Sequence, residues 1–284
     1  MTIRFVKMHG AANDFVVIDH RAPFLPEDEA ARMALVRRLC DRRRGVGADG
    51  VLLLDRDQDH DFAMRYFNAD GGAADFCGNG ARCLARFALD LGLGRAGEVR
   101  FATPVGAMRA RRGADGAIEV AVGEVDGAGA VETVAAAGRE FAGRASRPGV
   151  PHFVVPVDRL EQAPVAEWGA ALRRHPRFAP EGANVDFVTR LGAGRVAIRT
   201  YERGVEGETL ACGSGAIAAA LWAVAEGERP PIAVRTAGGD ELQVGLTPHR
   251  AGWEASLGGP TAIAYRGEWT EPAGVASAAT GAPA

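Results

Sequence analysis

Short stretches of alternating or β-rich residues recur along the first part of the chain. Residues 4–8, 15–19, 51–54, 62–68, 99–103, 107–111 and 117–122 read as strands. The pattern resumes at 152–157, 184–189, 195–202, 232–236, 241–246, 253–257 and 261–265. Helical spacing is rarer. Residues 27–40 carry an amphipathic pattern, and 165–175 read as a second surface helix. The helix after Cys77 places Leu84, Phe87, Ala88 and Leu91 on one face. The helix after Cys212, over 217–225, is apolar almost all round and must be buried on every side. These patterns predict an α+β protein in which a mostly antiparallel sheet curls, twice, around one central helix.

The two helices are announced by nearly the same words. Phe76-Cys77-Gly78-Asn79-Gly80-Ala81 is answered by Ala211-Cys212-Gly213-Ser214-Gly215-Ala216, 135 positions later in a chain of 284. Other landmarks keep the same order. Asn68 stands nine positions before its cysteine and Glu202 ten before its own. Thr103-Pro104-Val105-Gly106 parallels Thr236-Ala237-Gly238-Gly239, and Asp14-Phe15-Val16-Val17 parallels His152-Phe153-Val154-Val155. Gly123 and Gly258 each end a strand pattern 46 positions after the cysteine. A match this long is one supersecondary unit used twice. The halves are expected at 1–122, with a return strand near 260–268, and at 123–259. Residues 271–284 hold almost no large apolar groups and read as a disordered tail.

Composition narrows the function classes. A net charge of −3 offers no electrostatic case for nucleic acid. Arg42-Arg43-Arg44 is a local run and reads as a solvated turn. No stretch of about 18 apolar residues predicts a membrane span, and the first residues form a strand pattern without a signal-peptide core. Four cysteines in so long a chain are no disulfide framework, so free thiols and a reducing cytoplasm are expected. No cysteine and histidine spacing suggests zinc, and no metal is expected. Gly45-x-Gly47-x-x-Gly50 follows an arginine run and precedes a strand, the wrong order for a dinucleotide loop.

The cysteine positions carry the chemistry. A helix N-terminus offers unpaired backbone N–H groups and the positive end of the dipole. It binds anions and is expected to lower the pKa of a thiol placed there. Two such termini facing each other would hold one carboxylate and set a sulfur on each face of its α-carbon. That arrangement suits moving a proton from one face of the carbon to the other. The single lysine, Lys7, lies in an N-terminal strand pattern and makes no case for a pyridoxal Schiff base, so no cofactor is expected. Cys40 and Cys83 read as small buried hydrophobes.

Taken together, these segments resemble the diaminopimelate epimerase family. The resemblance rests on His9-Gly10-Ala11-Ala12-Asn13-Asp14-Phe15, Gly45-Val46-Gly47-Ala48-Asp49-Gly50, Phe67-Asn68-Ala69-Asp70-Gly71 and Cys77-Gly78-Asn79-Gly80-Ala81-Arg82-Cys83. It continues through Gly149-Val150-Pro151-His152, Tyr201-Glu202-Arg203-Gly204 and Glu208-Thr209-Leu210-Ala211-Cys212-Gly213-Ser214-Gly215. The family converts LL-diaminopimelate to the meso form without a cofactor, by proton transfer between two cysteines. The resemblance implies that fold, that small-molecule substrate, and Cys77 and Cys212 as the two bases. It implies that Gly78, Asn79, Gly213 and Ser214 bind the reacting α-carboxylate. Asn13, Asn68, Asn184 and Arg203 would hold the distal amino and carboxylate groups, Glu202 would line the same site, and His152 and Glu202 would each modulate one cysteine. It brings an expected homodimer.

This chain departs from the family pattern in two places. Gly50 stands where some members carry a substrate-touching glutamine, and Val150 where some carry an asparagine. One extra residue lies between Glu202 and Cys212 and is expected to lengthen that loop. Two other functions fit part of the pattern: a two-cysteine racemase of another amino acid, and a dithiol redox or binding protein. Arg203 and the asparagines favour a substrate with a second charged end. The glycine-framed anion sites are left unexplained by a redox role.

Overall fold

The structure, a computed structural model, describes residues 1–250 and 252–271. In chain order the first elements are β1 (Thr2–Gly10), β2 (Asn13–Asp19), α1 (Glu29–Cys40), β3 (Gly50–Asp55) and β4 (Phe62–Asn68). The short β5 (Ala73–Ala74), α2 (Gly78–Asp90), β6 (Glu98–Thr103), β7 (Gly106–Arg112) and β8 (Ile118–Val125) follow. The series then repeats as β9 (Val131–Ala136), β10 (Arg139–Ser146), β11 (His152–Pro156), α3 (Val165–Arg173), β12 (Asn184–Gly192) and β13 (Arg195–Glu202). It ends with the short β14 (Gly207–Thr209), α4 (Gly213–Ala225), β15 (Ile232–Arg235), β16 (Glu241–His249), β17 (Gly252–Gly259) and β18 (Ala262–Thr270).

Pairing makes the internal repeat explicit. One run of neighbours is β18–β1–β2–β3–β4–β6–β7–β8. The other is β9–β10–β11–β12–β13–β15–β16–β17. Parallel pairs fall at equivalent steps: β2 with β3 and β11 with β12, then β4 with β6 and β13 with β15. The helices bridge these parallel steps, since a parallel pair needs a crossover that a hairpin cannot supply. The two runs join through antiparallel β8 and β17. The last strand, β18, pairs with the first, antiparallel.

Each run wraps a helix. Around α2 pack Val6, Met8, Phe15, Leu52, Phe62, Phe101 and Val120, among others. Around α4 pack Val154, Val188, Ile198, Val234, Val244 and Leu257. Helix α4 is enclosed from Gly215 to Ala223, as its unbroken apolar surface requires. Helix α2 is buried over almost as long a run, including Arg82 and Asn79. Leu91 differs from expectation: it caps the helix C-terminus and is 40% exposed. Helices α1 and α3 cover the outer face of each sheet with Leu35, Val36 and Leu39, and with Val165 and Leu172. Helix α3 stops at Arg173 rather than 175; Pro176 disfavours the helical backbone at the residue before it.

Four strands lie outside the sequence pattern, the short β5 and β14 and the longer β9 and β10. β9 and β10 fall in an Ala- and Gly-rich stretch where Val134 and Phe141 supply most of the buried apolar surface. Pairing with each other and with β11, rather than propensity, makes them strands. Gly45 and Gly47 sit between α1 and β3, the helix-to-strand order that excludes a dinucleotide loop. The expected tail falls outside the described residues except for Glu271, whose carboxylate takes Arg38 at 2.6 Å. Among the described residues, no helix is long and apolar enough to cross a membrane.

Candidate active site

Cys77 and Cys212 occupy the same structural position twice. Each is the N-cap of its central helix, with extended backbone (φ −143°, ψ 115° and φ −124°, ψ 117°). The first intrahelical bonds are Ala81 N–H to the Cys77 carbonyl and Ala216 N–H to the Cys212 carbonyl, at 2.8 and 2.9 Å. Within the helices, the earlier N–H groups, at Gly78 and Asn79 and at Gly213 and Ser214, have no acceptor. The two helix tips meet. A Cβ built on Gly213 would lie 3.8 Å from the Gly78 Cα, and one on either glycine would press the same Leu257 methyl at 3.1–3.2 Å. Glycine fits here through close approach rather than through φ.

The two sulfurs have different neighbours. The Cys77 thiol donates to Asn13 Oδ1 at 3.6 Å and accepts from the Gly80 N–H at 3.4 Å. Cys212 lies 3.4 Å from the Ser214 hydroxyl. That hydroxyl is 3.0 Å from His152 Nε2, and His152 Nδ1 is 2.6 Å from Asp186 Oδ2, with both of those side chains fully enclosed. Thr200 donates to the other Asp186 oxygen at 2.8 Å. A carboxylate at Nδ1 fixes the proton there and leaves Nε2 as acceptor. It accepts from the Asn184 amide at 3.2 Å and from Ser214, whose oxygen is then free to accept from the Cys212 thiol.

Burial reverses the expected direction of the thiol pKa values. Both sulfurs are pushed up, because burial penalises a thiolate more than the helix termini favour it; Cys212 is buried and Cys77 partly open. Around Cys77 the Gly80 N–H, the Arg82 charge and the Asn79 N–H oppose this rise. Around Cys212, Glu202 and Asp186 add to it, against Ser214 and the Gly215 N–H. Glu202 is itself raised by burial, while its carboxylate accepts from the Thr209 hydroxyl at 2.9 Å. Cys40 and Cys83 are buried and each is pushed up to about 12 by desolvation.

The remaining candidate residues are distributed unevenly. Asn13 reaches the Cys77 side, and its Nδ2 donates to Asp49 at 2.7 Å. Arg42 binds both Asp14 and Asp49, so it is a buttress of this corner rather than a purely solvated arginine. Lys7 is buried against Asp14, at 2.6 Å, and the Gly47 carbonyl. Asn79 is 3% exposed and donates to Asn13 Oδ1 at 3.4 Å. Asn184 is enclosed, and its Oδ1 accepts the Arg203 backbone N–H at 2.7 Å, so its amide is committed inside the protein. The Arg203 guanidinium is partly open and, among the described residues, reaches only Glu181, at 3.7 Å from its carboxylate. Asn68 is exposed at the end of β4, and among the described residues its side chain bonds to none of the others. The space beside Gly50 is taken: a Cβ there would meet Tyr66 Cε2 and the Phe67 carbonyl at 2.5 Å.

The structure adds Asp186, Thr200, Asp49 and Arg82 to the residues that sequence reasoning assigns to the site. For Asp186 a signal existed: a carboxylate in the apolar run Asn184–Val188, two residues after Asn184 and so on the same face of the strand.

Comparison with known proteins places this geometry. The profile of the Diaminopimelate epimerase family matches residues 5–127 and 145–250. A diaminopimelate epimerase of Aquifex aeolicus is 39% identical over 250 residues, covering 85% of this chain and 89% of that protein. One of Gemmatimonas aurantiaca is 36% identical over 279 residues, 93% and 98% of the two chains. Among solved structures, a Bacillus anthracis phenazine biosynthesis protein of the PhzF family aligns with a TM-score of 0.74 at 15% identity, over 95% of this chain and all of that one. A hydroxyproline epimerase of Agrobacterium vitis aligns at 0.67 and 20%, over 94% and 92%. These two likenesses speak for the shared fold alone. The chain belongs to the diaminopimelate epimerase family.

Proposed function

We propose that this member of the family is an isomerase that epimerises LL-2,6-diaminopimelate to the meso form, with Cys77 and Cys212 exchanging the α-proton. The observation that carries the reading is the meeting of two helix N-termini, each capped by a cysteine and each presenting uncommitted N–H groups. The reacting α-carboxylate would lie on the N–H groups of Gly78, Asn79, Gly213 and Ser214. There it completes bonds that the helices leave open. One thiolate removes the α-proton from its face of the carbon while the opposite thiol gives a proton to the other face. The electron pair left on carbon is delocalised into the carboxylate, which the N–H groups stabilise.

The buried chain Asp186–His152–Ser214 supports proton movement at Cys212. With Nε2 as acceptor, His152 can draw the thiol proton through Ser214 and return it. Glu202 acts on the same sulfur through its charge. Arg203, Asn13 and Asn68 would recognise the distal ammonium and carboxylate, with Asn184 holding the Arg203 backbone in place. The halves 1–122 and 123–259 would act as two jaws, each bringing one cysteine, within a homodimer that sedimentation can test.

The test is incubation of the reduced protein with LL-diaminopimelate in D₂O, read by chiral separation and mass spectrometry. Deuterium is expected at one α-carbon as the meso isomer appears. Cys77→Ala and Cys212→Ala should each abolish conversion while circular dichroism stays unchanged. Turnover of proline, lysine, glutamate or histidine in preference to diaminopimelate would replace the reading with that of another amino-acid racemase.

A further inference from the structure

Arg82 is a charged side chain with no exposed surface, five residues after Cys77 on α2. Its Nη2 donates to Asn79 Oδ1 at 2.7 Å and its Nη1 to the Gly78 carbonyl at 3.4 Å. Its Nε finds no acceptor among the described residues. Among the described residues no carboxylate is hydrogen-bonded to it. Desolvation pushes its pKa down, and the groups whose negative charge would oppose this are Cys83, Cys77 and Asp240. The guanidinium is walled by glycines: a Cβ on Gly10 would lie 3.5 Å from Nη2, and one on Gly259 would lie 3.4 Å from Nε. A buried cation without a partner is costly, and such a cost is tolerated where the charge has an anion to meet.

The equivalent position after Cys212 is Ile217, also enclosed. The internal repeat is therefore broken by one full positive charge, on one side only. Asp186 acts on Cys212 from the other side, while Glu202 acts on both sulfurs.

We infer that Arg82 is a positioning residue: it sets the charge behind Cys77 and fixes the Asn79 amide so that its N–H groups face the substrate carboxylate. This rests on the two-cysteine reading of the site. Because Nη2 holds the amide oxygen, the amide nitrogen must point the other way, and it does, toward Asn13 Oδ1 at 3.4 Å. Before substrate binds, the anion that Arg82 faces is the Cys77 thiolate when it forms. In the complex it is joined by the carboxylate held through Asn79. Cys77 is thereby made the sulfur that ionises first.

Alkylation separates this claim from the function itself, since it needs no turnover. The rate of iodoacetamide labelling at each cysteine is followed against pH in the full-length protein and read by mass spectrometry. In Arg82→Met the Cys77 profile should move to higher pH. Labelling at pH 8 should slow by about tenfold for every pH step of one that the profile moves, with the Cys212 profile unchanged. Arg82→Lys keeps the charge but not the double contact. Its Cys77 profile should stay near that of the wild type, while KM for diaminopimelate rises by about tenfold, the loss of one charge-assisted bond, at nearly constant kcat. If Arg82→Met folds and neither sulfur responds, or both respond alike, the charge role is overturned. If Arg82→Met does not fold, Arg82→Lys decides: an unchanged KM overturns the inference and a raised KM sustains it. A wild type inert toward diaminopimelate but with a Cys77 profile that depends on Arg82 would sink the function and leave this charge role standing.

Discussion

Replacing Asp186 with asparagine tests the proton path at Cys212 with the smallest change of shape. The carboxylate accepts two hydrogen bonds, from His152 Nδ1 at 2.6 Å and from the Thr200 hydroxyl at 2.8 Å, and is fully enclosed. The amide can keep its oxygen on the imidazole and turn its NH₂ to Thr200, whose hydroxyl rotates to accept. The Thr200 hydroxyl proton and the second amide N–H are then left without an acceptor in a buried place, so stability should fall by about 1–3 kcal/mol. What is lost is charge assistance. A bond to a charged group is worth about 1.5–3 kcal/mol against about 1 for a neutral one, so the state in which His152 holds the Cys212 proton is disfavoured by roughly 0.5–2 kcal/mol. At about 1.36 kcal/mol per factor of ten, kcat should fall by about 2- to 30-fold. KM should hold, because both Asp186 oxygens are taken by His152 and Thr200 inside the protein. The assay is steady-state epimerisation in both directions, beside a thermal melt. Asp186→Asn with a wild-type kcat and a retained melting transition would show that the proton does not travel this way. A fall in kcat matched by a lost transition in the melt would make Asp186 structural.

Other consequences are open to simple measurements. Cys40 and Cys83, raised to about 12 by burial, should resist iodoacetamide at pH 8 in the native protein and react only after unfolding; labelling of either at the rate of Cys77 would contradict the packing. Arg203→Lys should lower kcat/KM for diaminopimelate by about 10- to 100-fold, since a lysine cannot give two parallel bonds to a carboxylate, with little change in Tm for a partly open side chain. Glu202 has a folded-state pKa above its ordinary value, so its contribution is present at low pH and is lost as pH rises through the folded value. Glu202→Gln should therefore match the wild type in Tm near pH 4 and exceed it at pH 7, by about 2–4 °C for each kcal/mol of relieved desolvation. A wild type more stable than the variant at pH 7 would reverse the sign of that argument.

Much of this protein is written locally. The strands of both halves, the wholly apolar α4 and the two cysteine caps depend on side-chain period and on a few adjacent residues, which a sequence displays directly. The repeat added what no single window holds, because two matched caps on two central helices imply two matched halves of one site. Strands β9 and β10 were invisible, since small residues carry weak preference and become strands only when neighbours pair with them. The direction of the thiol pKa values was also beyond local reasoning. A helix terminus is a feature of neighbouring residues, but desolvation belongs to everything that folds over it, and here it wins. Arg82 and Asp186 make the same point. Along the chain they are two among 33 basic and 36 acidic residues. Only the closing of β1 and β17 over α2, and of β11, β12 and β13 beside α4, excludes water from them and turns common side chains into fixed charges behind two cysteines.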